Sequence, residues 1–317
     1  MPHVTFIHGM ANKPDSDALH RIWLEALKFN NGLDLGAEGV TSSMVYWADV
    51  LYPEPMPDDG SYESASDDAE LEAVQREAPV PEESDRWRDD LPADERAAIE
   101  AMAAQLRVDE PDPVPAAGAH AAGGAAYEAV PLPWALKKPL MERLLRDVHH
   151  YLFNTHFSPR ALTSYAVQDE VRARTVKALA KGNAAADGGA HVVLSHSLGT
   201  VIAYDCLKRV NDCAGVTGLI TIGSPLGLDE IQHCMKPQWS RDSGYPLERL
   251  STRWVNIFDR IDPVVGLDPR FANDYRKAGA VAVEDINEDN WGLWRHSATK
   301  YLKGPKLRKT LAELLGL

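Results

Sequence analysis

Only three cysteines occur, Cys206, Cys213 and Cys234, and no two share a C-x-x-C spacing. That excludes a disulfide framework and a paired-cysteine zinc site, and it suits a reducing compartment. No apolar run approaches the ~20 residues needed to cross a bilayer. The opening stretch Met1-Pro2-His3-Val4-Thr5-Phe6-Ile7 lacks a basic region and a small-residue cleavage site. The expectation is therefore no signal peptide and a cytoplasmic protein. G-x-G-x-x-G and Walker loops are both missing, so no nucleotide cofactor is expected. His149 and His150 are adjacent, and on a helix their rings diverge, which makes a poor metal pair. No metal is expected either. A basic excess is missing too, since the net charge is −14. Residues 53–112 hold 20 acidic and 5 basic side chains, a net −15 that leaves the remainder at +1. Such a chain has no basic face for nucleic acid and no electrostatic drive toward anionic lipid.

The composition is that of a globular protein, with 44% hydrophobic and 25% charged residues. A chain of 317 residues can bury a large core. Strand patterns at 3–9, 43–47, 191–196, 216–222, 253–258 and 280–283 alternate with helical periodicity. The helical stretches are 16–27, 134–153, 168–181, 198–210 and 297–315, with Ser16 as the expected cap of the first. That alternation predicts an α/β fold with a mostly parallel sheet covered by helices on both faces. We read residues 1–317 as one domain carrying an insertion at 53–130. The insertion is acidic, rich in proline, and ends in an Ala/Gly tract at 116–126. Within it, 97–106 has a short amphipathic pattern. A solvated linker and a lid over a site fit this composition equally, with Trp87, Leu106 and Trp134 as apolar contacts of a lid.

The stretch His191-Val192-Val193-Leu194-Ser195-His196-Ser197-Leu198-Gly199 carries the most chemistry. A β-branched run stops abruptly, and an apolar-periodic helix follows at once. This is the layout of a nucleophile elbow, a tight strand-to-helix turn that lifts a serine hydroxyl above the end of a sheet. Ser197 is the candidate nucleophile, and Gly199 lets the backbone turn without a Cβ clash. In the pattern G-x-S-x-G, Ser195 replaces the first glycine. The competing reading is a serine capping a buried helix.

Further motifs fall at the expected ends of other strands: His8-Gly9-Met10, Gly223-Ser224-Pro225 and Asp262-Pro263-Val264. In open α/β sheets ligands gather at the carboxyl ends of strands. Taken in order, Phe6-Ile7-His8-Gly9, Ser195-His196-Ser197-Leu198-Gly199, Ile220-Thr221-Ile222-Gly223-Ser224-Pro225, Asp262-Pro263-Val264 and His296 resemble the α/β-hydrolase superfamily. The Gly-Ser-Pro segment resembles its lipase branch, which includes bacterial lipases, serine esterases and GPI inositol-deacylase-like proteins. Leu226 stands where that branch often has histidine. The resemblance covers 3–47 and about 165–317, and it implies an α/β-hydrolase fold of about six strands beginning at the family's third.

In that family the triad runs serine, then Asp or Glu, then histidine. Of eleven histidines only His296 follows the Asp259/Asp262 pair, so it is the candidate base. Asp262 is favoured as the acid because a loop there can turn back toward a histidine; Asp259 is the alternative, and Asp229 a distant third. Backbone N–H groups of Leu198 and Met10 are the candidate oxyanion hole, with Gly9 allowing close approach. His8 is expected to hydrogen-bond locally without titrating. The expected function is a serine hydrolase, esterase- or lipase-like, that cleaves a carboxylic ester or related acyl bond of a small-molecule substrate through an acyl-enzyme. Acyl transfer or peptide cleavage by the same triad is an alternative, as is a non-catalytic interaction module that binds through the acidic insertion.

Overall fold

Strand β1, His3–Ile7, is buried along its whole length, and so are β5 (His191–His196), β6 (Gly218–Ile222) and β7 (Trp254–Phe258). Continuous burial follows from helices lying on both faces of a parallel sheet. The edge strands β2 (Thr41–Val45) and β8 (Val283–Asn287) are only half-buried. These features come from a computed structural model, which describes residues 1–58, 87–109, 134–266, 268–292 and 294–317. Six strands pair in the order β2-β1-β5-β6-β7-β8, and every pairing is parallel. The chain steps from β1 to β2 on one side, then returns past β1 to add β5 through β8 on the other. That reversal places a topological switch point between β1 and β5, the position at which open α/β sheets generally bind ligands. In this register Ile7 lies opposite Ser195, so the loops starting at His8 and Ser197 emerge side by side.

Side chains alternate between two cores. Val4, Phe6, Val192, Leu194, Ile220 and Ile257 face helix α1 (Ser16–Lys28) and the C-terminal helices α7 (Ala298–Lys303) and α8 (Pro305–Leu315). Ile7, Val193, Leu219 and Trp254 face the other side, with α3 (Trp134–Leu152), α4 (Val167–Ala186) and α5 (Leu198–Arg209). Buried Asp205 on α5 ties those three helices together. It accepts from Tyr151 Oη at 2.7 Å, from Arg172 Nε and Nη2 at 2.6 and 2.9 Å, and from Arg209 Nη1 at 2.9 Å. Removing one member of such a node strands buried charge. Asp205→Ala is expected to cost about 3–5 kcal/mol in urea unfolding; a loss under about 1 kcal/mol would contradict the node's role.

Several sequence expectations shift. Asp15, not Ser16, caps α1, accepting from the N–H groups of Asp17 and Ala18. The closing helix divides at Gly304, because Pro305 has no N–H to continue the ladder. The last strand lies at 283–287, beyond the expected 280–283. Two short elements were not foreseen: an antiparallel hairpin of β3 (His156–Phe157) and β4 (Tyr165–Ala166), and helix α6 (Asp229–Cys234). Two-residue strands and a single helical turn are too short to show a period.

Of the insertion, 87–109 is described, and it contains α2 (Ala93–Gln105), which buries Ile99, Met102 and Ala103. Helix α2 packs on α3 and α6, and Glu95 pairs with His149 at 2.6 Å. Just beyond it, Leu106 lies against Gly266 in the loop after β7, above the carboxyl end of the sheet. Trp87 instead donates to Glu142 of α3 at 3.1 Å, under the guanidinium of Arg146. The Ala/Gly tract and the Trp134 side chain lie outside the described residues. Among the described residues, no helix is long and apolar enough to cross a membrane.

Candidate active site

The turn after β5 holds Ser197 at φ 54°, ψ −129°. Side chains rarely adopt that region, and holding one there costs on the order of 1–3 kcal/mol. The surroundings supply the restraint. Ser197 N–H donates to Ile222 O at 3.0 Å, while Thr200 N–H and Oγ1 both donate to Ser197 O, at 2.9 and 2.6 Å. Thr200 Oγ1 also lies 2.7 Å from Ser224 Oγ, linking the turn to the Gly223-Ser224-Pro225 loop. Ser195 is compatible with the turn because its hydroxyl donates across to Ile220 O at 3.3 Å.

Two glycines set how closely the β1 loop approaches. A Cβ on Gly199 would lie 2.5 Å from His8 O and 2.6 Å from Ile7 O, and one on Gly9 would lie 2.6 Å from Ser197 Cβ. Gly199→Ala must therefore push backbone against backbone, at an expected cost of about 1–3 kcal/mol. Gly36→Ala, whose Cβ would meet only Asp34 Oδ1 at 3.5 Å, serves as the control. Equal urea midpoints for the two variants would show that the approach is not tight.

The structure brings His296 to Asp262. His296 Nδ1 lies 2.9 Å from both carboxylate oxygens, and Asp262 also accepts from Tyr301 Oη at 2.8 Å and Val264 N–H at 2.9 Å. Asp259 points its carboxylate elsewhere, to the N–H groups of Ile261 and Asn290, each at 2.7 Å, and to Arg295 at 3.3 Å. Burial raises the Asp259 carboxyl above its usual range. Thus Asp262 holds the imidazole, while Asp259 holds the loop that carries it. Asp229 is exposed on α6.

Gly223, at φ 52°, follows the residue that bonds Ser197 N–H, and a Cβ there would lie 2.9 Å from Asp262 Oδ2 and 3.1 Å from His296 Nδ1. Asp262 and His296 therefore lie in a corner against the turn at Gly223, next to the residue that bonds Ser197 N–H, with no hydrogen bond between Ser197 Oγ and His296 Nε2. Ser197 Oγ and His296 Nε2 are both buried, and neither has a hydrogen-bond partner. Ser197 is 0% and His296 2% exposed, so this corner is closed to solvent. A buried unpaired polar group costs about 1–3 kcal/mol, and two of them call for a functional explanation.

Two other histidines frame the corner. His196 is buried, and its Nε2 lies 2.8 Å from the carbonyl of His296, which can only accept. It is therefore the neutral Nε2–H tautomer; burial, then the neighbouring His296, holds its pKa well below the ordinary histidine value. His8 stacks on Trp47 at 4.9 Å, accepts Trp47 N–H at Nε2 (3.0 Å) and donates from Nδ1 to Gly9 O (2.7 Å). Burial, then nearby Lys13, pushes the His8 pKa down to about 3. An unfolded chain binds that proton near 6.5, so the stability is fully present above that pH and is lost as pH falls from 6.5 toward 3. Each such histidine contributes up to about 1.4 kcal/mol per pH unit in that window. The carboxyls of Asp147 and Asp259, raised by burial, act in the opposite sense, because the folded chain keeps protons that the unfolded chain has released. The urea midpoint is thus expected to be lower at pH 5.5 than at 7.5. An unchanged midpoint would mean that the buried histidines accept protons without penalty.

As first residue of α5, Leu198 has an N–H with no acceptor inside the helix, and the helix N-terminus adds positive potential there. Met10, in the loop over Ser197, is also buried. Sequence reasoning missed Tyr301 and Thr200, and it marks Ser224 only as part of Gly223-Ser224-Pro225; Tyr301 bonds Asp262, and Thr200 bonds both Ser197 O and Ser224. Tyr301 lies 39 residues from Asp262 and inside a helical pattern, so nothing local marks it. Among the described residues, no group of three or more His, Cys, Asp or Glu side chains is placed to hold a metal. His149 bonds Glu95, while His150 bonds Thr155 at 2.5 Å.

No protein-family model matches the chain, and no curated protein matches it in sequence. One solved structure, of an uncharacterized protein from Pseudomonas aeruginosa, is similar at 11% identity and a TM-score of 0.33. The match covers 99% of this chain and 45% of that one, so the chain spans less than half of its length. A likeness at this level carries no argument, and the site rests on its own geometry.

Proposed function

We propose that this chain is a serine hydrolase of the α/β-hydrolase type, cleaving a carboxylic ester or related acyl bond. One observation carries the reading: a buried Asp262–His296 pair at 2.9 Å lies against Gly223, the neighbour of the residue that bonds the N–H of a serine held at positive φ, and both reactive atoms are unpartnered. Support also comes from the all-parallel sheet, whose switch point lies beside β5, the strand that leads into Ser197. Ser197 Oγ attacks the acyl carbonyl, and His296 Nε2 takes its proton. Asp262 holds His296 Nδ1–H and stabilises the imidazolium. The N–H groups of Leu198 and Met10 receive the oxyanion. His296 then protonates the leaving alcohol, and a water molecule repeats the sequence on the acyl-enzyme. The free thiols Cys206, Cys213 and Cys234 fit a cytoplasmic setting.

Closure of the corner favours a second reading, a binding module with the acidic insertion as its surface. Hydrolysis of p-nitrophenyl esters, from acetate to laurate, separates the two. A burst equal to the enzyme concentration, followed by turnover, is expected. Absence of both across the series would favour the module. Added alcohols or amines test the transferase variant, because acyl transfer yields new esters or amides where hydrolysis yields free acid.

A further inference from the structure

Asp147 is a buried carboxylate outside the triad, carried on α3, the helix against which α2 packs. Its Oδ2 accepts the N–H of Ala11 at 2.7 Å, and the Tyr52 hydroxyl reaches its two oxygens at 2.8 and 3.0 Å. Ala11 sits at φ 65°, a conformation that a non-glycine residue keeps only when its surroundings impose it. Neighbouring groups of the same loop are tied as well. Trp47 Nε1–H donates to His8 O at 3.0 Å, His8 Nδ1 donates to Gly9 O at 2.7 Å, and Lys13 Nζ donates to Met10 O. Three successive carbonyls and the following N–H are therefore engaged by side chains.

The consequence is geometric. A trans peptide points its N–H opposite to its C=O, so fixing Gly9 O fixes the direction of Met10 N–H. The next peptide is held at both Met10 O and Ala11 N–H, which keeps the plane beyond Met10 from swinging. Met10 N–H itself has no acceptor among the described residues. Gly9, which precedes it, lies against Ser197.

We propose that Asp147 is a positioning residue for the oxyanion donor: by holding Ala11 N–H it keeps Met10 N–H beside Ser197, so α3 takes part in the chemistry. This rests on the serine-hydrolase reading above.

The test compares wild type, Asp147→Leu, Asp147→Asn and Tyr52→Phe in the full chain. Each is assayed with a p-nitrophenyl ester and its thionoester. Donors in an oxyanion hole stabilise developing charge on oxygen far better than on sulfur, so the ester-to-thionoester rate ratio reports their alignment. Asp147→Leu is expected to lower kcat on the ester about 10–100-fold, with KM within about 3-fold, and to lower the ratio at least about 10-fold. Asp147→Asn, which retains an acceptor oxygen for Ala11, is expected to recover most of kcat and of the ratio. Tyr52→Phe loosens the carboxylate without removing it, so a smaller fall in the ratio is expected; it keeps the test alive if Asp147→Leu does not fold. An unchanged ratio in every folded variant of an active enzyme overturns the role of Asp147 alone. A wild type without ester turnover overturns the hydrolase reading and this inference with it.

Discussion

Replacing Ser197 with alanine is expected to lower kcat by about 10⁴–10⁶-fold while leaving the protein as stable as wild type or slightly more so. The two halves of that result come from the same observation. The hydroxyl is buried and bonded to nothing, so folding gains nothing from it and bears its desolvation. Alanine keeps the Cβ and the backbone restraints from Ile222 O and Thr200, which involve only main-chain atoms of Ser197. A helix-capping serine would behave in the opposite way, because its side chain would accept from the first turn; Ser197 makes no such side-chain bond. Joint measurement of kcat and the urea midpoint therefore separates nucleophile from cap. Lost stability with activity retained would assign the residue to the helix.

Asp262→Asn is expected to lower kcat about 10⁴-fold, whereas Asp259→Asn should cost less than about 10-fold. Asp262 accepts from three donors, His296 Nδ1–H, Tyr301 Oη and Val264 N–H. An amide can present only one oxygen to them. Once its NH₂ faces the imidazole, the proton moves to Nε2, and His296 can no longer accept from Ser197. Asp259 engages two backbone N–H groups and Arg295, the residue immediately before His296. Asparagine there weakens the loop and leaves the tautomer intact, so its effect should appear mainly in stability. A larger kcat loss for Asp259→Asn would reverse the assignment of the acid.

Much of this architecture was legible because it is written locally. Continuous apolar runs marked the central strands. The glycines at 9 and 199 marked close approaches, which the short Cβ distances now explain. Chain order singled out His296, and backbone register then set the loops of β1 and β5 side by side. The sequence favours Asp262 over Asp259 on loop position alone, since two carboxyls three residues apart carry no local mark of which one turns toward a histidine 34 positions away. Asp147 was invisible for the same reason: it meets Ala11 across 136 residues, from inside an ordinary amphipathic helix. The insertion was read by composition, which identified its acidity and missed the pairing of Glu95 with His149 that anchors α2 to α3.

Labelling with a fluorophosphonate probe tests the central claim most directly, because the probe bonds only to a serine whose hydroxyl is activated by an adjacent base. One adduct per chain is expected, located on the Ser197 peptide by mass spectrometry, absent in Ser197→Ala and strongly slowed in His296→Ala. No adduct in folded wild type, or an adduct that persists in Ser197→Ala, would contradict the account.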